Sequence, residues 1–494
     1  MKGRALVVLA LLTSALSPIT ARAADPCDVG AITYSIAYLP NVTKTLGGPD
    51  GWVTPFIVQN VGTQNTTIEI NFYRFSDGSL ITCRRVTNIA PGTSYADIPN
   101  NDADLPSDTQ FAVVVRSLVT PIVVVVNESR GSGASTQAAS YTGVSAGARR
   151  VYLPNVTRHF YGYGVPFIVQ NVGDMLSSIS ATFTSFDGAQ QLSFSRLVMP
   201  SRSTVFDPDA LAGLHDGTQY SVVVTSDQPV AVVANAHNEA AGPVAYAHNG
   251  LTTGSTVAFA PYVAKSGLGS ATDRDSPIVI QNVSASAVDV ELRFVPLGAT
   301  DPDSVAETFH FTAIPSLTAQ VFDPRFTIGT TTPCKTFVVD MCLAPGEYSL
   351  KMIASGTIAA VVLPATATTA AAYVAQGLTT ITTRVFLPNV TRNLGGAAGW
   401  TTPVVVYSDT ATNLVLRWYR FTDGTLAKAE TRRYVPGTSI WIDPRGVSGL
   451  SDDAQYSLDI QGQLGTTGAK LTAIVYELAT GGDSAMIYEG FAGN

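Results

Sequence analysis

The sequence predicts an all-β chain of four antiparallel β-sandwich domains in tandem. Three observations carry that reading: one set of motifs returns four times, the stretches between turn residues are short and strand-like, and helical periodicity is missing after the first 23 residues. Leu39-Pro40-Asn41-Val42-Thr43 recurs as Leu153-Pro154-Asn155-Val156-Thr157 and Leu387-Pro388-Asn389-Val390-Thr391, with a degenerate copy at Ala260-Pro261-Tyr262-Val263. Pro55 to Gly62 is matched by Pro166 to Gly173, by Pro277 to Val283 and, more loosely, by Pro403 to Tyr407. The shared proline falls at positions 40, 154, 261 and 388. That spacing is too long for a solenoid repeat and suits domains of roughly 100–150 residues, each burying its own core.

Residues 1–23 stand apart as a signal peptide. Lys2 and Arg4 precede the apolar run Ala5 to Leu12, and Ala21-Arg22-Ala23 offers a signal peptidase its small-x-small site. The expected product is secreted, placed outside the cell, at its surface or in a periplasm, with sandwich repeats over 24–146, 147–254, 255–380 and 381–494. No later stretch holds about 18 uninterrupted apolar residues, so membrane insertion is not expected. Losing the leader removes three basic residues and no acid, taking the net charge from −8 to −11. A chain this acidic repels nucleic acid and anionic lipid. Charged residues are 13% of the chain and mean hydropathy is +0.21, which excludes disorder driven by charge.

In the first unit, strands are expected over 56–61, 67–75, 80–89, 93–98, 111–116, 121–127 and 138–142. The turn at Asp77-Gly78 recurs at Asp187-Gly188 and Asp423-Gly424, because a tight hairpin needs positive φ. Asp207, Asp323 and Asp443 each precede proline and read as turn initiators rather than acid catalysts. Gln59-Asn60, Gln170-Asn171 and Gln281-Asn282 read as satisfying backbone groups at a strand end. The spacers at 146–150, 252–256 and 379–384 are short, so the expected shape is a rod of four beads.

Four cysteines in an exported chain point to disulfides. Cys334 and Cys342 lie in an insertion, Thr330 to Ala344, that lengthens the third unit, and they staple that loop. Cys27 and Cys83 are left as the other pair, tying the mature N-terminus to the first domain, although three pairings are formally open. Neither pair has zinc-knuckle spacing, and no metal or cofactor is expected.

Seven or eight short strands in about 110 residues is the pattern of an immunoglobulin-like sandwich. The Leu-Pro-Asn-Val-Thr run, the Gly-Trp-x-Thr-Pro entry at Gly51 to Pro55, Gln-Asn-Val-Gly, and a valine-rich closing hairpin with Gln228-Pro229-Val230 resemble tandem immunoglobulin-like repeats of secreted or surface bacterial proteins of unassigned activity. The resemblance covers residues 38–492 and implies an extracellular, structural or adhesive role without catalytic residues. The expectation is therefore a non-catalytic structural or adhesive surface or matrix protein, with polysaccharide, other surface proteins or further copies of itself as partners.

The sharpest candidate for binding is aromatic. Trp52 and Trp400 follow Gly51 and Gly399 in the first inter-strand loop, and Tyr161 and Tyr163 take that place in the second unit. Rings on sandwich loops stack on sugar faces, so these four residues carry the alternative reading of a carbohydrate-binding protein, against packing at the ends of the sandwiches. A hydrolase is the weakest reading; it would need His237 and His248 to meet across a hairpin with Glu239 as third ligand, whereas both histidines read more simply as surface residues. Asn100-Asn101-Asp102-Ala103-Asp104 with Asp108 lacks the glycine and spacing of a calcium loop, is not repeated in the other units, and reads as a solvated turn. Six Asn-x-Ser/Thr sequons occur, at Asn41, Asn65, Asn127, Asn155, Asn282 and Asn389, three of them inside the repeated pentapeptide; in a glycosylating host, those in loops would be modified.

Overall fold

The computed structural model describes residues 27, 33–132, 136–238, 244–267, 274–303, 305–328, 334, 342–480 and 482–493; the signal peptide, Glu239 and most of the 330–344 insertion lie outside them. The chain is all-β. In unit one the strands are β1 (Ser35–Lys44), β2 (Phe56–Asn60), β3 (Thr66–Arg74), β4 (Leu80–Ile89), β5 (Ser94–Asp97), β6 (Thr109–Ser117), β7 (Ile122–Arg130) and β8 (Gln137–Thr142). They form two antiparallel sheets, β1-β6-β3-β4 and β5-β2-β7-β8. The other units repeat this order, except that the counterparts of β6 and β7 run together as Thr218–Asn238 in unit two and Gly346–Val362 in unit three. The pairs β2–β5 and β3–β6 are those of an immunoglobulin sandwich, but β1 and β7 have exchanged sheets relative to that order. Both expected disulfides, Cys27–Cys83 and Cys334–Cys342, are formed. No helix among the described residues is long and apolar enough to cross a membrane.

The repeated pentapeptide is a bulged strand. Pro40 and Asn41 together face one residue of β6, and the same shift interrupts the first strand of every unit. A proline cannot donate to a ladder, and a bulge is where a strand tolerates it. A tyrosine of the last strand pins the bulge: the Tyr141 hydroxyl donates to Asn41 O (2.6 Å) and Tyr488 to Asn389 O (2.7 Å), and Tyr373 repeats the bond to Tyr262 O. In unit two the matching position is His248, which pairs with Ala234 as Tyr141 pairs with Val126.

The expected rod is not found; the units close into a ring. The bulged strand of each unit lies on the outer face of the β2–β7 sheet of the next, and that of unit four lies on unit one. The apolar clusters follow the same cycle. Ile168 and Val233 of unit two join the core cluster of unit one, Val279 and Val361 join unit two, Val405 and Ile474 join unit three, and Ile57 and Val125 of unit one join unit four. The β2–β7 sheet is thus buried on both faces, which requires the near-continuous apolar runs seen in its strands. Ser203 Oγ donates to Pro40 O (2.9 Å) and Ser94 Oγ to Pro388 O (3.4 Å), so the bulge also supplies an acceptor across the junction.

The last strands, Gln137–Thr142, Val244–Asn249, Tyr373–Val374 and Ala485–Glu489, meet in the same cyclic order around the centre. Four strands can converge there only with small side chains, and one level is Ala138, Ala245, Ala370 and Ala485, all buried. Above it, the Asn249 side chain bonds Thr142 N and O (2.9 and 2.7 Å), and the Glu489 carboxyl accepts from Val374 N at the equivalent place in units three and four.

The Asp-Gly turns are where each unit reaches toward the next. Gly78, Gly188 and Gly424 have φ of +74°, +72° and +68°. Arg202 of unit two donates to Phe75 O and Ser76 O beside the first turn. A Cβ on Gly424 would lie 2.6 Å from Pro91 O of unit one, whereas one on Gly188 would stand 3.7 Å from Thr318 of unit three. Both glycines meet the left-handed cost of about 1–2 kcal/mol when replaced by alanine, and only Gly424 adds a collision with backbone. Gly424→Ala is therefore expected to lower the thermal midpoint more than Gly188→Ala; equal losses would show that the close approach is unimportant.

Candidate functional site

The loop after the bulge builds the tryptophan sites. Leu46 N–H donates to Trp52 O (3.0 Å) and Trp52 N–H to Leu46 O (2.9 Å), closing a tight loop with Gly47 and Gly48 at positive φ. A Cβ on Gly51 would lie 2.2 Å from Leu46 O, and one on Gly399 2.0 Å from Leu394 O, so the Gly-Trp pairs are steric requirements. Thr391 Oγ1 donates to Trp400 O and Thr157 Oγ1 to Tyr163 O, both at 2.9 Å, which makes Tyr163 the counterpart of Trp400.

The four aromatic residues have different surroundings. Trp52 is half-buried, carries the Arg130 guanidinium 5.4 Å over its ring, and lines a cavity of about 200 Å³ between units one and two. Trp400 is half-buried at the matching loop of unit four. Tyr163 packs on Tyr246 with ring centres 5.9 Å apart, and burial pushes its hydroxyl up to about 12. Tyr161 stands at the loop tip, 79% exposed.

The same cavity contains a residue that the sequence reading missed, Glu128. Gln110 Nε2 donates to Asn41 Oδ1 (2.6 Å), Asn41 Nδ2 to Glu128 Oε1 (2.7 Å), and Asn235 of unit two donates to the other carboxyl oxygen. Between units four and one the set repeats: Gln455 to Asn389 (2.7 Å), Asn389 to Glu477 (2.6 Å), and Asn127 of unit one to Glu477 (2.9 Å). Burial pushes both glutamates up to about 8, outweighing the amide donors that pull them down. Ala236 and Pro364 take the glutamate's place in the other two junctions, with Leu363 and Tyr476 in place of the partner asparagine. Asn235 Oδ1, which belongs to the cavity wall, is buried without a partner.

The remaining candidates resolve into fold elements. His248 pairs with Ala234 and His237 with Ala245, so the two imidazoles project from opposite faces of the sheet. His248 is a buried residue rather than the surface one expected, and burial lowers its imidazole to about 4. Asp207, Asp323 and Asp443 each accept from the N–H two residues on (3.0, 3.0 and 2.8 Å). Asn60, Asn171 and Asn282 each donate to two carbonyls and accept one N–H at a strand end. Asp102 is not a solvated turn residue: it pairs with Arg84, which also holds the buried Asp97. Among the described residues no group of three or more His, Cys, Asp or Glu is arranged to hold a metal ion. Of the sequon asparagines, Asn41, Asn155, Asn282 and Asn389 are buried and Asn65 is exposed, so the repeated Asn-Val-Thr sits in packed strands rather than in open loops.

No protein-family model and no curated protein matches the chain. Among solved structures it is similar to Thermotoga maritima 1070, with 20% identity and a TM-score of 0.19 over 22% of this chain and 96% of that one. It is also similar to a tetra-tandem repeat in the extending region of a large adhesion protein, with 10% identity and a TM-score of 0.09 over 88% of this chain and 94% of that one. At these scores neither likeness carries weight, and the architecture rests on the strand pairing itself.

Proposed function

We propose that the chain is a secreted, non-catalytic structural or adhesive protein whose four sandwich repeats act as one closed ring. The observation that carries this reading is where the repeated motifs are used. Bulge and turn alike are placed at the contact of one unit with the next. Two disulfides fit an oxidising compartment rather than a reducing cytosol. Export is tested by the mature N-terminus: mass spectrometry should find Ala24 first, in the culture medium or on the cell surface. Full-length chain beginning at Met1 and confined to the cytosol would overturn it. The outer edge strands, β4 and its counterparts, offer a route for association with further copies, and their charged residues Arg84, Arg85, Arg196, Arg432 and Arg433 limit it.

A second reading, carbohydrate binding, is favoured by one observation: Trp52 faces a cavity whose wall also holds Asn41, Glu128 and Asn235. An aromatic face beside planar amide and carboxyl groups suits a sugar ring and its hydroxyls. On a panel of soluble and insoluble polysaccharides, the mature chain is expected to be retained, with Trp52→Ala losing about tenfold in affinity or more and Trp400→Ala reporting on the sister junction. Failure of the wild type to bind any member of the panel would remove this reading and leave the structural one.

A further inference from the structure

The centre of the ring carries a contact that no repeat motif announces. Asp483 lies in the hairpin between the seventh and eighth strands of unit four and is 1% exposed. Its carboxyl accepts Ala245 N–H of unit two (2.6 Å) and Ala370 N–H of unit three (3.0 Å), and the nearby backbone N–H of Ala138 of unit one pulls the carboxyl's pKa down without completing a third bond. These three alanines are equivalent residues, at one level of the last strands. Its own N–H is tied down by Thr136 O (2.9 Å). Two main-chain donors from units two and three thus meet on one carboxyl supplied by unit four, whose own N–H is held by unit one. Donors of this kind recognise the oxyanion and not the chain that carries it.

We propose that the centre of the ring is an oxyanion receptor, built from the N–H groups of Ala245 and Ala370, which Asp483 fills in the closed ring and a small free monocarboxylate fills when that side chain is absent. The site is independent of the Trp52 cavity. Asp483 acts there as a built-in ligand that holds four units to one point, and without its side chain two buried N–H groups lack their acceptor.

The test uses the mature full chain. Asp483→Ala leaves a space the size of formate, and Asp483→Gly leaves room for acetate. Because burial pushes this carboxyl up to about 8 while the N–H donors pull it down, the measurement is made at pH 9, where the side chain and the added anion are both ionised. Each variant is expected to melt several degrees below the wild type, with formate restoring the alanine variant and acetate the glycine variant. Chloride at equal ionic strength should restore neither, and the wild type should respond to none of them. Variants as stable as the wild type, or a loss that formate and acetate repair no better than chloride, would overturn the proposal. Should neither variant accumulate, the near-isosteric Asp483→Asn is read by hydrogen exchange. Faster exchange at Ala245 and Ala370 together, with the sandwich cores unchanged, supports the receptor; unchanged exchange at those two overturns it.

Discussion

Between pH 5 and pH 9 the ring is expected to lose stability steadily as pH rises, the reverse of ordinary acid denaturation. Glu128 and Glu477 are each raised by burial from 4.5 to about 8. Below the unfolded value both states hold the proton, and the carboxyls add no penalty. Above it the unfolded chain releases the proton while the folded ring keeps it, so stability falls until the folded value is passed and is level thereafter. The full loss is on the order of 5 kcal/mol for each group, an upper figure because the junction relaxes when it ionises. The exposed carboxyls lowered by their hydrogen bonds, Asp77, Asp187 and Asp423, lose their contribution only in acid and leave this window untouched. Denaturant midpoints at pH 5, 7 and 9 measure the slope. The double variant Glu128→Gln with Glu477→Gln should make it shallower, leaving the share of Asp483, Glu489 and Asp97, which burial also raises, while keeping an acceptor oxygen for Asn41 and Asn389. A midpoint that rises with pH, or a slope the double variant does not change, would sink this expectation.

Much of the fold is legible in the sequence because strand and turn signals are local. The strand expected at 80–89 is the one found, Leu80–Ile89, and the Asp-Gly glycines have the positive φ that hairpins require. The first strand, Ser35–Lys44, went unrecognised because Pro40 argues against a strand, and only the bulge makes room for it. The ring was hidden for a different reason. Short linkers say that neighbours touch, but closure of unit four on unit one involves residues more than 250 positions apart, such as Asn127 and Glu477. A signal was present in the runs Phe56 to Val58 and Ile122 to Val126, apolar at every position instead of alternating, as a sheet covered on both faces must be. In the site, Trp52 was legible as an aromatic after glycine. Glu128 was not, since one acid at the end of a valine run does not reveal that its partners are Asn41 and an asparagine of the next unit.

Val125→Asp is expected to open the ring between units four and one without unfolding either. Val125 is fully buried, yet it belongs to the apolar cluster of unit four rather than to that of its own unit. An unpaired carboxylate there costs about 3–5 kcal/mol, which falls on the junction because that is the contact the side chain makes. Val115, equally buried, lies in unit one's own cluster, so Val115→Asp should instead destroy the first sandwich. The two substitutions carry the same charge and similar burial, and they differ only in which interface they face. Small-angle scattering separates them: the Val125 variant should keep its β-sheet circular dichroism while its radius of gyration rises, because three intact junctions still join four folded units in an open arc. An unaltered radius of gyration in that variant, or loss of β-sheet signal equal to that of Val115→Asp, would mean that Val125 does not hold the ring shut. The open form would also free Asn127 from Glu477 and leave that carboxyl accessible to water. The pH slope carried by Glu477 should then disappear in the Val125 variant, while that of Glu128, on the junction that stays closed, is retained.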